Sequence, residues 1–162
     1  LIEMFFNFDD IYFRTVVIDA QDVDNDTFNE SDHELGYYKF YYQLIKHWID
    51  PKDKHYIFTD YKTNKDKFRL QELKRILNNS TNSACIDIIQ SIDSKESLLL
   101  QLQNVLMGAV GYKFNYGNDA KSFAKMEVVK RIETHLRHEI LPTSKTNMKF
   151  NVFKIALRKG MN

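Results

Sequence analysis

Cysteine is almost missing from this chain: Cys85 is the single one among 162 residues. One thiol excludes an internal disulfide framework and a cysteine-rich zinc site. Cys85 lies in the apolar run from Ala84 to Ile92, where a buried, inert thiol is expected rather than a nucleophile. Proline occurs twice and glycine five times, with no linker rich in either, so one domain is the simplest count. No glycine-rich phosphate loop is present, which excludes nucleotide binding of the P-loop or Rossmann kind. The G-x-S-x-G elbow of a Ser/His/Asp hydrolase is missing as well. Charge of one sign is not in excess either: 23 Lys and Arg against 22 Asp and Glu leave a net charge of +1. Such a balance exerts no global pull towards nucleic acid or membrane, so any nucleic-acid binding must come from a local patch. No apolar run approaches the roughly 20 residues of a membrane span, and no basic-then-apolar leader is visible. The expectation is a soluble, cytoplasmic protein with no membrane partner. The chain starts at Leu1, already inside the apolar segment Leu1-Ile-Glu-Met-Phe-Phe. It is therefore expected to be an N-terminally truncated fragment of a longer polypeptide, possessing only part of its fold.

What is present is enough for a core: 43% of residues are apolar and 14% aromatic, too apolar for a disordered chain. Leu1 to Phe8 reads as the end of an amphipathic helix. Ile11 to Asp19, rich in β-branched and aromatic residues, reads as a central strand. Asp22 to Ser31 is acidic and turn-like. The alternation of Asp22, Asp24 and Asp26 suggests a calcium loop, but the central Gly and terminal Glu are missing and a solvated loop is the default. Glu34 to Ile49 is predicted helical, with Tyr38, Tyr41, Tyr42 and Ile45 on one face. That band is a core-packing surface with hydroxyls at its rim, and a base-stacking platform is the sharper alternative. Asp50-Pro51 ends it. His55 to Asp60 is a short strand. Asp66 is expected to cap a helix over Lys67 to Asn78, and Ala84 to Ile92 is another strand. Ser94 to Asn115 is a long helix capped by Ser94, broken by Gly117-Asn-Asp. A second amphipathic helix follows over Ala120 to Arg137, with Phe123, Met126, Val129, Ile132 and Leu136 inside. Lys149 to Ile155 is the last strand, and the tail from Arg158 is expected to fray. Strands alternating with helices argue for an α/β layered domain.

The helix from Ser94 organises the rest. Its leucines, valines and methionine cover most of its surface, so burial on several sides is expected. Ser94, Ser97, Gln101, Asn104, Gly108, Gly111 and Asn115 nevertheless recur at steps of three and four, in one stripe that must face something polar or closely packed. Asp60, at the carboxyl end of its strand, occupies the place where open α/β sheets put ligand groups. Beside Glu96, Gln101 and Asn104 it would form a cluster of oxygen donors suited to Mg²⁺ or Mn²⁺, and paired metals drive phosphodiester hydrolysis. The alternative is a turn-forming Asp that closes the strand. His33, His47, His55, His135 and His138 are scattered and complete no zinc set. Three groups of basic residues exist: Lys62, Lys65, Lys67 and Arg69; Lys121, Lys125, Lys130 and Arg131; and Lys154, Arg158 and Lys159. Each is a solvated face unless all gather round Asp60, where they would track a nucleic-acid backbone.

At two of these places the sequence resembles the bacterial domain-of-unknown-function 3800 family. His55-Tyr-Ile-Phe-Thr-Asp60 is similar to that family's strand ending in an aspartate. Leu98-Leu-Leu-Gln101-Leu-Gln-Asn104-Val-Leu-Met-Gly108 is similar to its helix with the pattern Gln-x-x-Asp-x-x-x-Gly. Tyr37-Tyr-Lys-Phe-Tyr-Tyr-Gln-Leu and Lys149-Phe-Asn-Val-Phe look like further family features, so the likeness runs from about Phe5 to Ile155. The resemblance implies a ribonuclease H-like α/β fold without its first strands. It also implies a metal-dependent nuclease acting on RNA or DNA, in a mobile-element or defence setting. On this resemblance Asp60 is the strand carboxylate and metal ligand, Glu96 the acid early in the helix and the second ligand. Gln101 orients a ligand or water. Asn104 stands where the family has an aspartate, and the family's Asp-Glu-Ser opening strand would precede Leu1. A catalytically inactive module that binds nucleic acid, a partner protein or a second copy is the other expectation.

Overall fold

Each stretch rich in β-branched and aromatic residues finds a parallel partner far along the chain. Phe13–Ile18 (β1) pairs with Phe150–Ile155 (β4), and His55–Asp60 (β2) pairs with Ile86–Ile92 (β3). The computed structural model describes residues 1–23, 32–61, 68–117, 119 and 121–157. The expected acidic loop beyond Val23, the Asp66 cap, the lysines at 62, 65 and 67, and the tail from Arg158 lie outside these residues. The architecture is mixed α/β, with two two-stranded parallel sheets among the described residues. The chain divides into two compact units, Leu1–Asp19 with Leu98–Asn162, and Ala20–Ser97.

In the first unit β1 and β4 run in register from Phe13↔Phe150 to Ile18↔Ile155. Alternation puts Phe13, Thr15, Phe150 and Val152 on one face, and all four are buried. Three helices supply the other side of the core: Ile2–Asn7 (α1), Leu98–Tyr116 (α4) and Phe123–Leu136 (α5). Phe5, Leu106, Val110, Val129 and Ile132 meet there at 1% exposure or less. Lys149 pins the end of α1 to β4, its ammonium donating to the carbonyls of Phe8 and Ile11 and lying 4.4 Å from the Phe5 ring centroid. Lys113 on α4 meets Glu133 on α5 at 3.0 Å, and Glu133 also accepts from the Ile140 N–H at 3.0 Å.

Several boundaries differ from expectation for local reasons. Ser94 does not cap the long helix. Asp93 accepts from the Lys95 N–H at 2.9 Å and caps a short 3₁₀ turn over Ser94–Glu96, and Ser97 is extended before α4 begins at Leu98. Burial of α4 is also less complete than its composition suggests, since Leu98, Leu99 and Met107 are exposed. Phe123 is 81% exposed rather than inside, because it is the first residue of α5 after the Ser122 cap. Gly117 ends α4 as expected, at φ +56° with its N–H on the Lys113 carbonyl. β1 pairs on one side only among the described residues, so it is not a central strand there.

In the second unit β2 spans the predicted residues and β3 lies alongside it, ending at the pair Asp60↔Ile92. A bulge falls between His55↔Ile86 and Tyr56↔Ile88, leaving Asp87 as the extra residue. Its carboxylate takes the Lys54 ammonium at 3.1 Å and the Tyr56 hydroxyl at 3.3 Å. Two helices, His33–Lys46 (α2) and Arg69–Thr81 (α3), cover one face. Tyr38, Leu73, Leu77, Cys85 and Ile86 form the buried cluster, with Tyr41, Tyr42, Ile45 and Ile57 packed against it. The tyrosine band of α2 is thus a core surface, and Cys85 is a buried thiol at 1% exposure. α2 ends at Lys46, before Asp50-Pro51, and Asn82 closes α3 in the left-handed conformation.

Candidate functional site

The carboxyl end of the β2–β3 pair carries two of the acids singled out in the sequence. Asp60 is the last residue of β2 and is exposed, and its Oδ1 accepts from the Tyr61 N–H at 2.9 Å. Across the pair, β3 ends at Ile92, and the chain passes directly into Asp93 and the 3₁₀ turn that carries Glu96. Glu96 is exposed, with its N–H on the Asp93 carbonyl at 2.9 Å. Asp60 thus ends one strand and Glu96 follows the end of its parallel neighbour, the position where α/β sheets present ligand groups.

A separate polar cluster stands at the start of α2. Asp32 caps the helix, accepting from the N–H groups of Glu34 at 2.9 Å and Leu35 at 3.1 Å. The same carboxylate meets the Arg69 guanidinium at the start of α3, and Arg69 lies 3.7 Å from Glu34. The Leu35 N–H, then the Glu34 N–H and the Arg69 charge, hold the Asp32 carboxyl below its ordinary range. One turn further on, the Tyr37 and Tyr41 hydroxyls share a hydrogen bond at 3.2 Å, with the rings edge to face at 4.8 Å. Burial, reinforced by the Tyr37 hydrogen bond and the charges of Tyr37, Tyr38 and Asp60, pushes the Tyr41 hydroxyl well above the usual phenol range.

Gln101 and Asn104 belong to the other unit. Both sit on α4, Gln101 exposed and Asn104 half-buried. The stripe they share with Gly108 and Gly111 does not mark a close approach: a Cβ at either glycine meets nothing within 4 Å. Among the described residues no group of three or more His, Cys, Asp or Glu side chains is arranged to hold a metal ion. The histidines are engaged separately, His55 with the Asp50 carbonyl at 2.8 Å and His135 with Glu3 at 2.9 Å. Described members of the basic groups are largely spent locally. Arg69 is held by Asp32, Lys121 and Lys125 lie over the rings of Tyr116 and Tyr112, and Lys130 is 3.8 Å from Glu127. Sequence reasoning placed Tyr41 on a core face and missed its hydroxyl pair with the exposed Tyr37, although the i, i+4 spacing was the signal.

No helix among the described residues is long and apolar enough to cross a membrane. No protein-family model, curated protein or solved structure matches the chain.

Proposed function

We propose that this chain is a ribonuclease H-like domain that acts on RNA or DNA as a metal-dependent nuclease, with Asp60 and Glu96 as its metal ligands. The observation supporting this reading is that Asp60 ends β2 and Glu96 follows the end of β3, its parallel partner. Their donor chemistry suits Mg²⁺ or Mn²⁺: hard carboxylate oxygens, with water and substrate phosphate completing the shell, as is usual for Mg²⁺. Such an ion supplies charge neutralisation at phosphate and a water made acidic enough to attack. The chain's own part is to hold Asp60 at the rigid end of a strand and to place Glu96 on a capped turn. Gln101, as an orienting amide, and Asn104, as a neutral substitute for a ligand, enter through the family resemblance alone.

The second reading is a module that has lost catalysis and binds nucleic acid or protein. Two observations favour it: position 104 is an amide, and no three-acid group exists among the described residues. A cleavage assay on single- and double-stranded RNA and DNA with Mg²⁺ or Mn²⁺ separates the two. The nuclease reading expects activity that Asp60→Ala abolishes and Asn104→Asp raises by at least tenfold. Absence of cleavage in both the parent and Asn104→Asp sinks it and leaves the binding module.

A further inference from the structure

The face of the β2–β3 pair turned away from α2 and α3 is rich in exposed rings. Alternation puts Tyr56, Phe58 and Asp60 on this face of β2, and the register sets Ile88, Gln90 and Ile92 beside them on β3. Tyr56 is 56% exposed, Phe58 45% and Ile88 40%. Large apolar side chains gathered in the open, with polar residues around them, mark an interaction surface rather than scattered exposure. Rings elsewhere in the chain have a cation of its own laid over them: Lys46 over Tyr42, Lys121 over Tyr116, Lys125 over Tyr112 and Arg14 over Phe153. Among the described residues no cation lies over Tyr56 or Phe58.

Charge decides what fits this face. At the bulge the Asp87 carboxylate stands 3.3 Å from the Tyr56 hydroxyl, and Asp60 lies at the other end of the strand. The Lys54 ammonium, 3.1 Å from Asp87, offsets one of these two charges. The chain leaving β3 adds Asp93 and Glu96 against Lys95. This excess of negative charge by itself repels a phosphate backbone, and a symmetric contact with a second copy would set carboxylate against carboxylate. Exposed rings beside carboxylates instead suit a guanidinium or ammonium group: the ring face attracts the cation, and the carboxylate accepts its hydrogen bonds.

We infer that the open face of β2–β3 docks a basic peptide segment of a partner protein. Its arginine or lysine side chains lie over Tyr56 and Phe58 with their charge towards Asp60 and Asp87, and its apolar side chains cover Ile88. This goes beyond the nuclease reading and does not depend on it, since no metal takes part.

The test uses the full chain without divalent cations and labelled probes read by fluorescence anisotropy. The probes are a short peptide of alternating arginine and leucine, its glutamate–leucine counterpart, and single-stranded RNA. The parent chain is expected to bind the arginine peptide and not the glutamate one. Phe58→Leu keeps the apolar area but removes the ring, and it is expected to weaken binding about two- to fivefold with unchanged far-ultraviolet circular dichroism. Tyr56→Phe keeps its ring and should bind like the parent. Replacing both Asp60 and Asp87 by Asn should weaken binding and flatten its fall with salt. If Phe58→Leu does not fold, Tyr56→Leu set against Tyr56→Phe decides the matter. Equal binding of the two peptides, no binding of either, or no effect of removing the ring overturns the inference. RNA bound more tightly than the arginine peptide and released by Phe58→Leu also overturns it, as does a dimer in sedimentation that this change dissolves. Cleavage enters none of these readings, so failure of the nuclease reading leaves them unaffected.

Discussion

Leu77 offers the sharpest test of how the second unit is held together. It lies on α3 with no exposed surface, against Cys85 and Ile86 at the start of β3 and beneath Tyr38 of α2. Leu77→Ala removes three carbon atoms from this contact. At about 0.8 kcal/mol for each buried methylene, the transfer part alone comes to roughly 2.5 kcal/mol. The residual cavity adds to it, because a cluster built from two helices and two strands can collapse only in part, and measured Leu→Ala losses run to about 5 kcal/mol. The expected cost is therefore about 3–4 kcal/mol. Ile76 is the internal control: it is next in sequence but 40% exposed, so Ile76→Ala should cost less than about 1.5 kcal/mol. Trp48 is the only tryptophan of the chain and lies in this unit, just beyond α2, so urea unfolding followed by its fluorescence reports on this core. A Leu77→Ala loss below about 1 kcal/mol, or equal losses at the two positions, would refute the packing described here.

Asp32 makes stability depend on pH. Its folded carboxyl is held down by two backbone N–H groups and Arg69, so its contribution is present above the unfolded carboxylate range and is lost as pH falls through the lowered folded value. The stability gap between the parent and Asp32→Asn, read by urea unfolding through Trp48, should be full at pH 7 and shrink below about pH 4. Two glycines should respond with opposite sign. Gly117→Ala forces a side chain into φ +56° and destabilises the first unit by about 1 kcal/mol. Gly108→Ala meets open space inside α4 and raises its helix stability by roughly 0.5–1 kcal/mol, both read by thermal unfolding of the helical signal.

The parts of this fold that could be read in the sequence are those decided within a few residues. β2 was legible to the residue because Tyr56, Ile57, Phe58 and Thr59 are all aromatic or β-branched, between the polar residues Lys54 and Asp60. Gly117 was legible because few residues other than glycine accept its φ. The cap of the long helix was not, since Asp93 and Ser94 are both good caps and only the extended Ser97 shows that the first one closes a separate turn. Partners separated by more than a hundred residues, such as β1 with β4, leave no mark in local pattern beyond strand propensity. The same limit governs the candidate site. A polar residue at a strand end is visible in Asp60, and so is the acid in a helix-start segment at Glu96, but their succession at one sheet end follows from the β2–β3 pairing. The tyrosines carry the instructive case. Tyr38, Tyr41 and Tyr42 read as core because their rings are apolar, and these rings do pack. What distinguishes Tyr41 is its hydroxyl, which shares a hydrogen bond with that of Tyr37. An amphipathic side chain satisfies the hydrophobic pattern with one end and makes a polar contact with the other, so periodicity assigns the ring and remains silent about the oxygen.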